Sequence, residues 1–279
     1  MANHSRIDWT DATWNPVTGC SKVSPGCQHC YAERLSHRFG WTVHPWTAPY
    51  AADNVQLHPE QLDQPLRWRR PRRIFVNSMS DLFHDQVPDA FLVEVFAIIL
   101  RAPQHTFQVL TKRPTRMRSW MQDPPRALVR LDSPDWPPLN LWLGVSAEDQ
   151  RRADERIPVL QTTPATVRFV SCEPLLGPID LTPYLPHRSR LLGADPFCTL
   201  CGYAPSWHGT DIGWIDWVIV GAESGPGARA MDDAWVRAIR DQCQAAGVAF
   251  WFKQRADAQG HKQLNPSLDG RVWHEWPGV

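Results

Sequence analysis

Val167-Arg168-Phe169-Val170-Ser171-Cys172-Glu173 is the stretch on which the fold turns: an apolar, β-branched run that ends abruptly in small, reactive and charged residues. Five other runs share its grammar. Arg73-Ile74-Phe75-Val76 leads into Asn77-Ser78-Met79-Ser80-Asp81, and Thr106-Phe107-Gln108-Val109-Leu110 into Thr111-Lys112-Arg113. Leu141-Trp142-Leu143-Gly144-Val145 leads into Ser146 and Glu148, and Trp217-Val218-Ile219-Val220 into Gly221-Ala222-Glu223-Ser224. Val248-Ala249-Phe250-Trp251-Phe252 leads into Lys253-Gln254. Near-continuous apolar runs of this length predict strands buried on both faces of a parallel sheet.

Helical spacing fills several of the gaps. Asp89 to Arg101 follows the turn-like Val87-Pro88, and Asp232 to Ala246 stops at Gly247, a C′ signal. Strand, polar tip and helix in alternation predict an α/β fold, with the chemistry at the C-terminal strand ends. With a first strand near Thr13-Trp14-Asn15 the count is about seven parallel strands. That count fits a partial or irregular (β/α) barrel, the alternative being a doubly wound sheet. A single domain over residues 1–279 is expected, with an insertion at about 183–216 where the rhythm breaks. The many Pro residues, 26 in 279, fall mainly between apolar runs, as short turns require.

Composition narrows the function. A hydrophobic fraction of 43% and a charged fraction of 21% predict a buried core. Formal net charge is zero, which removes any global argument for binding nucleic acid or an anionic membrane. No apolar run is long enough to span a bilayer, and Met1 to Trp9 lacks the apolar core of a signal peptide. A cytoplasmic, monomeric protein is therefore expected, and its seven cysteines should be thiols suited to metal binding or catalysis.

Three of those cysteines follow the first strand in Gly19-Cys20-Ser21-Lys22-Val23-Ser24-Pro25-Gly26-Cys27-Gln28-His29-Cys30-Tyr31, with spacing C-x6-C-x2-C. The intervening Ser, Pro, Gly and Lys suit a loop that wraps around something. Thiolates select zinc or iron–sulfur clusters. Zinc would need a fourth ligand, for which His29 is poorly placed, whereas a cubane held by three cysteines keeps one iron open for chemistry.

Over nearly its whole length the chain resembles a phage and bacterial three-cysteine-motif family of unknown function. That family is itself similar to radical S-adenosylmethionine (SAM) enzymes, spore photoproduct lyase in particular. The resemblance is carried by "DWTDATWNPVTGCSKVSPGCQHCYAE", "RIFVNSMSDLFHDQVP", "VLTKRP", "LGVSAED", "FVSCEPLLGPIDL", "VIVGAESGPGARAMD", "FWFKQ" and "LDGRVWHEWP". One departure is plain: most radical SAM enzymes have three residues in the first gap and an aromatic residue where His29 stands.

The resemblance implies a barrel of the radical SAM type and a 4Fe–4S cluster on Cys20, Cys27 and Cys30. It implies SAM as the second cofactor and an electron donor such as flavodoxin or ferredoxin. Tyr31, Ser78, Asp81, Ser146, Glu148 and Glu173 would then contact the cofactor, and Lys112, Cys172 and Glu223 would act on the substrate. A nucleic-acid base or DNA lesion is the substrate that the kinship suggests. Each residue also has a plainer reading: Asp81 and Glu173 as local caps, Cys172 as a buried thiol, the Gly221–Gly227 run as a tight turn.

Two motifs stand outside this scheme. Cys198 and Cys201 form a C-x2-C knuckle in the insertion, half of a candidate second metal site that His187 or His208 would complete with zinc. Arg67-Trp68-Arg69-Arg70-Pro71-Arg72-Arg73 would grip phosphates or serve as a solvated basic face, and it lies before its strand rather than after it. The alternative to an enzyme is a zinc- or cluster-stabilised protein that binds nucleic acid or senses redox state.

Overall fold

Apolar runs become strands here wherever they can bury both faces. A computed structural model describes residues 5, 7–125, 136–186, 213–256 and 261–278. Cys198, Cys201, His187 and His208 lie outside them. The chain divides into two compact units, residues 1–145 with 164–166 and residues 146–163 with 167–279.

In the first unit four strands are parallel and follow one another in chain order: β1 (Ala12–Trp14), β2 (Arg73–Val76), β3 (Thr106–Thr111) and β4 (Leu141–Ser146, whose last residue passes into the second unit). Their register sets Trp14, Val76, Val109 and Leu143 in one row. Polar residues beyond that row, from Asn15, Asn77 and Thr111 onward, therefore emerge at the same sheet edge. Helices α1 (Tyr31–Arg38), α2 (Asp89–Arg101) and α3 (Pro114–Gln122) belong to this unit. The core is built from Trp14, Ile74, Phe83, Phe96 and Phe107, all with essentially no exposed surface.

In the second unit β5 (Val167–Cys172), β6 (Trp217–Gly221) and β7 (Ala249–Ala256) are parallel, and β8 (Lys262–Leu264) runs antiparallel to β7. Cys172, Val220 and Phe252 share a row. Helices α4 (Gln150–Gln161) and α5 (Asp233–Ala246) cover this unit's strands with Ile157, Leu160, Val236 and Ile239 buried. Asp232 caps α5 through the Ala234 N–H at 2.8 Å, and Gly247 ends it at φ 71°.

The protein is thus α/β, with eight main strands that are mostly parallel among the described residues. Within each unit strands are added in one direction only, the order of a partial barrel rather than of a sheet that winds outward from its middle. No described helix is long and apolar enough to cross a membrane.

Candidate functional site

The three-cysteine loop hangs from the ends of β1 and β2. Asn77, with its backbone at φ 59°, donates its N–H to the Trp14 carbonyl at 2.7 Å and receives the Val17 N–H on its side chain at 3.3 Å. Ser80 Oγ donates to the Val17 carbonyl at 2.8 Å, and the Gly19 N–H to the Met79 carbonyl at 3.0 Å. Gly19 sits at φ +80° with the Asn54 carbonyl oxygen only 1.8 Å from where a Cβ would stand, so this approach admits glycine alone. On its other side the loop is braced by Glu33, which pairs with Lys22 at 2.8 Å and accepts the Trp46 N–H at 2.8 Å.

Cys20, Cys27 and Cys30 are half-buried, and none is in a disulfide. Cys27 lies close enough to both others for its charge to raise their pKa values. Burial is the larger cause: it pushes the Cys20 thiol up to about 12, against the opposing pull of Arg113. Burial also raises Cys30, while the N–H groups of Glu33 and Ala32 at the start of α1, and the charge of Lys112, favour its thiolate. Among the described residues no three His, Cys, Asp or Glu side chains are gathered as ligands of one metal ion. A cubane does not ask for that, because each thiolate binds a different iron.

Arg113 joins this loop to the β3 tip. Its Nη1 is 3.5 Å from Cys20 Sγ and 3.2 Å from Asp81 Oδ2, and its Nη2 donates to the carbonyl and hydroxyl of Ser21 at 3.0 and 3.1 Å. Asp81 is saturated: Thr111 Oγ1 at 2.7 Å, the Lys112 N–H at 3.0 Å and the Phe83 N–H at 3.0 Å complete its set of donors. Asp81 therefore caps its own turn, as its plainer reading had it, and also aims Arg113. Ser78 Oγ donates to Asn15 at 3.1 Å, and the Tyr31 hydroxyl donates to the Ser78 carbonyl. His84 Nε2 and Ser21 Oγ are 2.8 Å apart; burial, then the charge of Arg113, pushes this histidine down to about 4.

The second unit gathers a different set. Glu148 has no exposed surface and pairs with Arg156 of α4 at 2.9 Å, whose Nη1 also donates to the Ser146 carbonyl at 2.8 Å. Glu173 pairs with Lys253 at 2.8 Å and accepts the Ser171 hydroxyl at 3.1 Å. Gly221 stands between them on β6, and a Cβ there would be 2.5 Å from Glu173 Oε1. The missing side chain is what lets Glu173 reach across the intervening strand. Glu223 receives the backbone and side chain of Arg229, six residues on, across the Gly225 and Gly227 turns at φ 97° and 74°. Three strand-end carboxylates thus each hold one cation.

Cys172 is fully buried and lies near Cys243 of α5, on the strand face opposite Ser171. Burial, then Glu173 and Glu148, drives its pKa far upward. In the basic run, Arg67 pairs with Asp63, Arg73 with Asp11, and Arg72 lies 4.8 Å over the buried Trp68 ring; Arg69 and Arg70, like Arg67, are exposed. Sequence patterning named neither Arg156 nor Arg229 as partners, because each comes from outside the strand tips. A cation spaced a helical turn or a tight loop from a tip glutamate is the signal that would find them.

Fold and loop together define an α/β protein that carries a three-cysteine loop at the ends of parallel strands. A family model described as "Protein of unknown function (DUF5131)" matches residues 4–277, and the chain belongs to that family. No curated protein matches the chain. No solved structure matches it either.

Proposed function

We propose that the protein is a radical SAM enzyme whose 4Fe–4S cluster is held by Cys20, Cys27 and Cys30. The observation that carries this reading is that half-buried Cys27 lies within electrostatic reach of both Cys20 and Cys30, with Arg113 against Cys20 and Lys112 near Cys30. Thiols are the donor set that such a cluster takes, and none of these is in a disulfide. Cys20, Cys27 and Cys30 would hold the cluster, which when bound would supply an electron for the reductive cleavage of SAM.

The chain's own residues do the rest. Burial holds the Cys20 and Cys30 thiols toward their protonated form, so loading releases protons, and Arg113 and the α1 N–H groups offset the negative charge that thiolates bring. Asp81 fixes Arg113 against Cys20 so that this compensation needs no rearrangement. In the second unit we assign Glu148, Glu173 and Glu223, with Lys253, to cofactor or substrate binding on the resemblance described above.

Anaerobic purification tests this. A brown protein absorbing near about 400 nm, with iron and sulfide lost on Cys27→Ala, is expected. Dithionite and SAM should then yield 5′-deoxyadenosine. A colourless protein with stoichiometric zinc on these cysteines overturns the enzyme reading, and a cluster that never cleaves SAM leaves a redox sensor in its place.

A further inference from the structure

Large hydrophobic side chains left in water are concentrated in one segment of the first unit. Of nine such residues among those described, six fall between residues 23 and 50: Val23, Tyr31, Phe39, Trp41, Val43 and Tyr50. We propose that this segment is a binding surface for single-stranded nucleic acid. Unpaired bases stack on Phe39, Trp41 and Tyr50, and phosphates are met by the cations of α1. The inference goes beyond the cluster reading, since none of these three rings is a proposed ligand or cofactor contact.

Ring geometry is the first support. The exposed aromatics form flat pairs: Phe39 and Trp41 stack at 5.2 Å and 29°, and His44 and Tyr50 at 4.5 Å and 6°. The Arg38 guanidinium lies 5.8 Å from the Phe39 ring centre. Paired rings with an adjacent guanidinium form a stacking platform that accepts any base, because every base has a π-face.

Fixation is the second. The Trp41 N–H donates to the Ser36 carbonyl at 2.8 Å, Gly40 turns at φ +68° to allow it, and His37 Nε2 lies 3.0 Å from the His44 carbonyl oxygen. Just beyond, buried Trp46 is anchored by Thr42 at 3.1 Å and by Glu33. A platform already held by its own backbone loses little freedom when it binds.

Charge decides the occupant. The whole chain is neutral, but from Cys20 to Tyr50 the cations Lys22, Arg34 and Arg38 stand against a single carboxylate, Glu33. Glu33 is already taken by Lys22 and Trp46. Aromatic faces interleaved with cations suit a polyanion that displays bases.

The test is fluorescence anisotropy with a labelled oligothymidine of about 16 nucleotides and with its duplex form. The full chain is used, both as purified and after chelation of any metal, at salt between about 50 and 200 mM. Single strands should bind, more tightly than duplex and less tightly as salt rises. Trp41→Ala and Phe39→Ala should each weaken binding by roughly ten-fold or more with the circular dichroism spectrum unchanged. Arg38→Glu, which removes no ring, should reduce affinity and flatten the salt dependence, and Leu264→Ala in the second unit should do neither. Binding that survives chelation separates this surface from the cluster, whose failure would leave it standing. Three results overturn the proposal: no single-strand binding at the lowest salt, equal or better binding of duplex, or unchanged affinity in both ring variants. Self-association abolished by Trp41→Ala without oligonucleotide binding overturns it too, by giving the platform to a second copy of this chain.

Discussion

His84 shows how one side chain reports on the cysteine loop without belonging to it. It is 2% exposed, faces Ser21 and sits near Arg113, so burial first and that positive charge second disfavour its protonated form. Its pKa falls from the usual 6.5 to about 4 in the folded protein. Between those two values the unfolded chain binds a proton that the folded chain does not. Stability should therefore drop as pH falls from about 6.5 to about 4, and level off below, for this group. The loss is on the order of 3 kcal/mol if the whole shift is realised. Urea unfolding across that range should show a steeper decline for the native chain than for His84→Gln. Parallel curves would mean that His84 is not held neutral by its surroundings.

At the scale of elements, the buried pair between Glu148 at the β4 tip and Arg156 of α4 ties a strand end to the helix that follows it. Both side chains are almost wholly withdrawn from water, so the pair itself is a weak stabiliser, but breaking it strands a charge. Arg156→Ala should cost about 3–5 kcal/mol, read as a fall in the urea midpoint. Glu148→Gln with Arg156→Met, which removes both charges at similar volume, should cost distinctly less. Equal losses would show that packing, not charge, dominates there.

The same scale explains which elements could be read in advance. The β2 strand and α2 fall where the apolar runs put them, and α5 starts one residue past its Asp232 cap, because burial and capping both leave marks in sequence. The β8 strand leaves no apolar run in the sequence because all three of its residues are exposed and two, Lys262 and Gln263, are polar, so only its pairing to β7 defines it. The α4 helix was obscured by Pro158 in its interior, and α1 by a cysteine loop that runs straight into it.

For the whole molecule, the thiols and strand-end acids were legible as residue types, but their partners were not. Periodicity cannot say that Arg113 bridges Asp81 to Cys20, or that Gly221 is empty so that Glu173 can meet Lys253. Those facts come from register, which brings distant segments level. They also fix where metal binding should be felt. The loop is bound through Val17 and Gly19 to Asn77, Met79 and Ser80 just past β2, and through Lys22 to Glu33, which accepts the Trp46 N–H, all within the first unit. A cluster that binds only the folded loop adds its binding energy to folding, about 2.7 kcal/mol where ligand exceeds its dissociation constant a hundred-fold. Reconstitution should raise the melting temperature by several degrees. It should also slow amide exchange across residues 15–50, the stretch from Asn15 through the cysteine loop to Tyr50. Cys27→Ser should erase both effects while leaving the metal-free protein folded. Exchange that slows equally in the variant would place the metal elsewhere, and a melting temperature indifferent to iron and sulfide would show that the loop holds no cluster.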